Sequence, residues 1–217
     1  VGHLHSVNDI PPWREAYNAL LPEVTRFYSE LGQNQTLFAK LKALRASAEY
    51  ERLNTTQQRI VDNDIRDFSL SGADLAEADK PRFQAIQEEL AALGAKFSEN
   101  LLDATNAFGE YVTDEAELAG IPADVCQAAR EAAEKESKPG WKFTLHAPSY
   151  GPLMQYADDR ALRARMYRAY ATRASEHGNP DYDNTPLIGK LLKLRNEAAR
   201  MLGYKNYAEV SLVPKMA

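Results

Sequence analysis

Apolar residues recur at helical spacing through most of this chain. Behind Pro11-Pro12, a pair tolerated where a helix starts, Trp13, Tyr17, Leu20, Leu21, Val24, Phe27, Tyr28 and Leu31 follow at three- and four-residue steps. Pro22 falls inside that pattern and is expected to kink or split it, because proline brings no amide hydrogen to the helix. Gly32 ends the run. Leu37-Phe38, Leu41 and Leu44 predict a second amphipathic stretch. Asn54-Thr55-Thr56 caps a third helix carrying Ile60, Val61, Ile65 and Phe68 up to a stop at Ser71-Gly72. The clearest element begins near Asp79 with Pro81 in its first turn. There Phe83, Ile86, Leu90, Leu93, Phe97, Leu101, Ala104 and Phe108 trace a coiled-coil-like seam. At about 1.5 Å per residue such a helix is on the order of 40 Å long and must lie along several neighbours.

The pattern changes in the middle of the chain. Residues 109–113 and 141–145 are rich in β-branched and aromatic side chains and suit two short strands that pair as an antiparallel ribbon. Between them Pro122 opens a polar helix over residues 123–136, closed by Lys138-Pro139-Gly140. Pro148 and Pro152 punctuate a short helix near Leu153, Met154 and Tyr156. Asp158-Asp159 caps the next, with Leu162, Met166, Ala169 and Tyr170 on one face. Residues 177–184 read as a polar loop. Leu187, Leu191, Leu194, Ala198 and Leu202 form a last amphipathic helix stopped by Gly203, and a further element begins at Tyr207. The predicted fold is mainly α, a bundle of long antiparallel helices with a minor two-stranded β-ribbon. Residues 1–217 are expected to form one helical lobe, with a sub-division near residues 109–147.

Composition narrows the function. Hydrophobic residues are 44% of the chain and charged residues 26%, enough for a packed interior under an ordinary surface, so disorder is set aside. A formal charge of -5 offers no general attraction to phosphate backbones or anionic membranes, so neither nucleic acid nor membrane is expected as a partner. No apolar run approaches the roughly 20 residues that span a bilayer. The opening Val1-Gly2-His3-Leu4-His5 has neither the basic start nor the apolar middle of a secretion signal, and none is expected in it. Cys126 is the one cysteine, which rules out an intramolecular disulfide and a thiolate zinc cluster and fits a reducing cytoplasm. The residue itself reads as a small apolar position on a helix.

Candidate chemistry is sparse. Of the four histidines, His3 and His5 are two apart in a terminus expected to fray, His146 follows the second strand, and His177 sits in the polar loop. No His-Glu-x-x-His or Glu-x-x-His pair occurs, nor a Gly-x-Ser-x-Gly elbow or a phosphate-cradling glycine loop. Carboxylate pairs such as Glu88-Glu89 suit a solvated helix face. Neither catalytic, cofactor-binding nor metal-binding residues are therefore assigned. The best non-enzymatic signal is Arg160, Arg163, Arg165, Arg168 and Arg173 interleaved with Tyr167 and Tyr170. It suits nucleic acid or acidic peptide, or arginines paired with carboxylates of neighbouring helices, or a supporting role in a peptide channel.

Several stretches together resemble the thimet-oligopeptidase family of zinc metallopeptidases. They are Val61-Asp62-Asn63 leading to Arg66-Asp67-Phe68-Ser69-Leu70-Ser71-Gly72, then residues 97–105 and 112–120. Further on come Met166-Tyr167-Arg168-Ala169-Tyr170 with Thr172-Arg173-Ala174-Ser175, residues 202–209, Ser211-Leu212 and Lys215-Met216-Ala217. They run in order along most of the chain, and none contains a catalytic group. The resemblance implies a larger, mostly helical, two-lobed enzyme with a deep channel. It implies a zinc ion held by a His-Glu-x-x-His helix and a more distal Glu, all downstream of this segment. The motif's Glu would act as general base on zinc-bound water while the metal polarises the scissile carbonyl. Zinc is thus expected in the parent enzyme and not in this segment. The expected partners are short peptide substrates, the chain's own catalytic domain and, through exposed apolar faces, a second copy. The long helices are expected to form one wall of the channel, limiting substrate size and ordering the peptide through exposed Tyr or Arg near Tyr150 or Arg173. A self-sufficient helical interaction module and an arginine-based nucleic-acid binder are the alternatives.

Overall fold

The computed structural model describes residues 2–216; Val1 of the opening pentapeptide and Ala217 of the closing motif lie outside the described residues. The molecule is mainly α with one two-stranded antiparallel ribbon, as the periodicity predicts. It divides into two compact units, one taking in Val1–Ala95 and Gly189–Ala217 and the other Lys96–Ile188.

The first unit begins with a short helix α1, Gly2–Val7, where the sequence suggested a frayed end. The His5 ring stacks at 4.6 Å on Tyr17 of the next helix, and its Nδ1 lies 3.0 Å from an oxygen of Asp9 in the intervening turn. That helix, α2 (Pro11–Gly32), runs unbroken through Pro22, so the expected split does not occur. Proline removes one amide donor, and the remaining turns carry the helix across the gap. A row of its apolar residues stays in solvent: Leu20 is 42% exposed, Val24 48%, Phe27 60% and Leu31 43%. Their spacing of four, three and four puts them on one stripe.

Helix α3 (Gln35–Arg45) is capped by the Asn34 side chain, which accepts from the Leu37 amide. A one-turn helix α4 (Ala48–Arg52) follows, then α5 (Thr55–Leu70), opened by a capping box in which Asn54 and Gln57 each accept the other's backbone amide hydrogen. Phe38, 2% exposed, stacks on Phe68 at 5.5 Å and fastens α3 to α5. Helix α6 (Lys80–Asn106) and helix α10 (Thr185–Met201) contribute to both units. In the first unit their Phe83, Ile86, Leu194 and Ala198 make a small buried core. Arg82 Nε and Nη2 each donate 2.7 Å hydrogen bonds to the two oxygens of Glu197. Helix α11 (Tyr207–Leu212) closes the unit.

The second unit holds the ribbon. Strands β1 (Glu110–Val112) and β2 (Trp141–Phe143) pair with Glu110 opposite Phe143 and Val112 opposite Trp141. Alternation then sends Val112 and Phe143 inward and Tyr111 and Lys142 outward, where both bond Glu136. Gly140 enters β2 at φ +85°, and a Cβ there would sit 2.1 Å from the Val112 carbonyl oxygen, so only glycine fits. Helix α7 (Ala123–Lys135) covers the ribbon, and Phe143, Leu145, Leu153, Leu162 and Met166 fill the main core between it and helices α8 (Ala147–Tyr156) and α9 (Arg160–Ala171). Asp159 caps α9 by accepting from the Leu162 amide. The long seam predicted for α6 does not continue through this unit. Leu101 is 37% exposed, whereas Asn100 and Thr105 are buried.

Candidate functional site

Five arginines follow the Asp159 cap, and the structure gives them different roles. Arg163 bonds the carbonyls of Ala157 and Asp158, folding back over the turn that starts α9. Arg165 bridges two carboxylates, Glu110 on β1 and Glu117, at 2.6 Å each. Those two hydrogen bonds hold its guanidinium more firmly protonated than usual. This is the internal pairing that the sequence left open against nucleic-acid contact, and it occupies the charge a phosphate would need. Arg160 and Arg168 lie exposed on the surface of α9.

Arg173, just past the helix, differs. Its Nη1 donates to Thr105 Oγ1 at 3.0 Å, its Nε to the Tyr170 carbonyl at 3.2 Å, and the guanidinium lies 3.8 Å from the centre of the Tyr170 ring. Tyr170 in turn stacks on Tyr150 of α8, 4.2 Å between centroids and nearly parallel. Burial, with the Tyr170 and Tyr167 phenols nearby, pushes the Tyr150 hydroxyl above its ordinary range. Tyr150 and Arg173, singled out separately from the sequence, thus belong to one stack with Tyr170. No carboxylate pairs with Arg173 among the described residues.

Beside the stack is a cavity of about 300 Å³. Ala104, Ala107, Phe108, Leu145 and Ala169 give it apolar walls, and Thr172, Arg173, Asn179 and Tyr182 also line it. Small side chains create the space: where α6 and α9 face it they carry alanine. Ala174, at φ +47°, adopts the left-handed region that costs a non-glycine residue roughly 1–2 kcal/mol, and its carbonyl accepts the Asn184 amide at 3.0 Å. Asn184, 2% exposed, accepts from Asn100 at 2.9 Å and donates to the Phe97 carbonyl at 3.0 Å, tying the 177–184 segment to α6. Within that segment Pro180–Tyr182 form a 3-10 turn. Nothing in the spacing or residue types marks Thr105, Asn179 or Tyr182 as members of a site. The alanines at 104, near the end of α6, and 107, just past it, were the available hint.

A catalytic zinc needs three protein ligands converging on one point. The donors present do not fit that need. His5 is engaged by Asp9, His146 is exposed at the start of α8, and His177 has only Glu176 beside it at 3.6 Å. Among the described residues no three His, Cys, Asp or Glu side chains gather where a metal ion could be held. Glu88 is taken by Arg26 and Gln84, at 3.2 Å each. Cys126 packs against the main core, and burial raises its thiol pKa, the opposite of what a nucleophile requires. No step of metal-assisted or nucleophilic hydrolysis is therefore assigned to these residues. Among the described residues no helix is long and apolar enough to cross a membrane.

Comparison with known proteins agrees with the motifs. Residues 1–80 match the family described as Neurolysin/Thimet oligopeptidase, N-terminal domain, and residues 153–217 match Peptidase family M3. Oligopeptidase A of Salmonella typhimurium is 44% identical over 220 residues, covering 100% of this chain and 32% of that protein. A probable cytosolic oligopeptidase A of Arabidopsis thaliana is 43% identical over 225 residues, again with 100% and 32% covered. Dipeptidyl carboxypeptidase of Escherichia coli is 30% identical over 214 residues, 98% of this chain and 31% of that protein. The chain spans about a third of the length of these relatives. The resemblance carried by the motifs thus holds along its whole length, to the N-terminal third of oligopeptidase A proteins.

Proposed function

We propose that this chain is the non-catalytic helical portion of a zinc metallo-oligopeptidase and forms one wall of the channel that admits short peptides. The supporting observation is the 44% identity, over the entire chain, to the first third of an oligopeptidase A. Zinc, its ligands and the general base belong in this reading to the remainder of the longer polypeptide. The framework contributes stiffness: long helices such as α6, with 27 residues, resist bending and so fix how wide an opening can become. Residues 1–217 act as one lobe of that enzyme. A cytoplasmic location suits the single cysteine and the cytosolic relative.

The exposed stripe on α2 suits contact with the rest of the polypeptide, since relatives about three times as long have the surface to cover it. Separated from that remainder, the chain self-associates through the same stripe. A longer protein stripped of residues 1–217 tests the wall directly. It should lose its peptide-length limit or its activity, and adding this chain in trans should restore the lost property. Retention of both full activity and the original length limit by the stripped protein would contradict the proposal.

A further inference from the structure

We propose that the cavity beside Arg173 seats the apolar C-terminal residue of a short peptide, with the Arg173 guanidinium binding its carboxylate. A half-buried cation is costly to leave without a counter-charge, and Arg173 has none among the described residues. Its three existing contacts fix the planar group: Thr105 Oγ1 holds Nη1, the Tyr170 carbonyl holds Nε, and the Tyr170 ring lies against its face. Nη2 is left with no acceptor among the described residues. Arg165, by contrast, already bridges two carboxylates and has no such vacancy to fill.

Of the other polar side chains that line the cavity, Thr172 already donates its hydroxyl hydrogen to the Arg168 carbonyl at 2.8 Å, and Asn179 and Tyr182 can each donate. Asn179 uses its Oδ1 to accept the Asp181 amide at 3.0 Å, leaving its NH₂ to give, and the Tyr182 hydroxyl has no hydrogen-bond partner among the described residues. No Asp or Glu lines the space. A carboxylate seated there would meet the Arg173 cation and no competing acidic side chain, which is what a charge-assisted hydrogen bond needs. The volume of about 300 Å³ and its apolar walls accommodate one leucine- or phenylalanine-sized side chain. The absence of an acidic lining group argues against a free amino acid, whose ammonium would face Arg173 unpaired. An apolar side chain next to a carboxylate, with its nitrogen acylated, is the end of a peptide. That choice of source rests on the peptidase reading, while the chemistry of the cavity does not.

Titration of this chain with N-acetyl-leucine, N-acetyl-leucinamide and free leucine, followed by amide chemical shifts in NMR, tests the inference. N-acetyl-leucine should bind at least about tenfold more tightly than its amide, since one charged hydrogen bond is at stake, and free leucine should be weaker than N-acetyl-leucine. Arg173→Gln should erase the difference between acid and amide. Ala104→Leu, which fills the cavity without touching the charge, should abolish binding of both, and the unchanged spectra of distant residues will report that the variants fold. Octanoate, an apolar carboxylate without a peptide bond, should bind more weakly than N-acetyl-leucine, and the reverse order would overturn the peptide assignment. Equal affinity for acid and amide, or no saturable binding of N-acetyl-leucine, overturns the site itself. Either failure leaves the channel-wall proposal standing, because that is judged by the stripped longer protein.

Discussion

Asn184 shows what a single residue can carry without announcing itself in a sequence. It lies in a segment whose Gly, Asn, Pro and Asp content reads as a loop, yet it is buried and joins Asn100 and the Phe97 carbonyl across more than 80 positions. Loop chemistry is local, and a partner that far away leaves no periodic trace. Asn184→Ala leaves the buried Asn100 amide without its acceptor and should cost about 1–3 kcal/mol in urea unfolding. Gly140 was legible as a turn residue, but the close approach of the Val112 carbonyl was not. Gly140→Ala combines a left-handed backbone with that contact and should destabilise by more than about 1 kcal/mol in the same measurement. Asp62 accepts hydrogen bonds from Tyr50 and Arg45, and the Tyr50 bond, foremost, holds its carboxyl below the usual range. A lowered carboxyl pKa stabilises the fold above the unfolded value and loses that contribution as pH falls through the folded one. Tyr50→Phe should therefore lower the thermal midpoint near neutral pH, and the gap from wild type should shrink on acidification through the carboxylate range.

Helices were the most legible elements, because three- and four-residue spacing and capping residues act locally. The α5 cap was readable at Asn54, and the Gln57 half of the capping box appears only in the structure. Asn54→Ala should cost about 1 kcal/mol in chemical unfolding. What spacing does not reveal is which apolar stripe meets a neighbour. The α2 pattern predicts a helix correctly, yet Leu20, Val24, Phe27 and Leu31 remain in solvent, and the α6 seam gives way to buried polar residues at Asn100 and Thr105. Pro22 does not split α2: a proline penalty of a few kcal/mol acts on one turn, while a 22-residue helix has others to hold it. If the α2 stripe drives self-association, the pair Phe27→Glu and Leu31→Lys should shift the isolated chain toward monomer in light scattering. Its thermal midpoint should hardly move, since neither side chain is buried.

At the scale of the whole molecule, the fold class and the family resemblance were both within reach of the sequence, the latter through motifs spread from Val61 to Met216. The cavity beside Arg173 was not, because alanines at 104, 107 and 169 look like ordinary helix formers until α6 and α9 are seen to leave a space among them. The central claim is that this polypeptide supplies a framework and not the chemistry of hydrolysis. Its most direct test is to incubate the purified chain with zinc and a quenched fluorescent peptide, with and without a chelator. No cleavage is expected in either case; chelator-sensitive turnover with no companion polypeptide present would contradict a purely structural role.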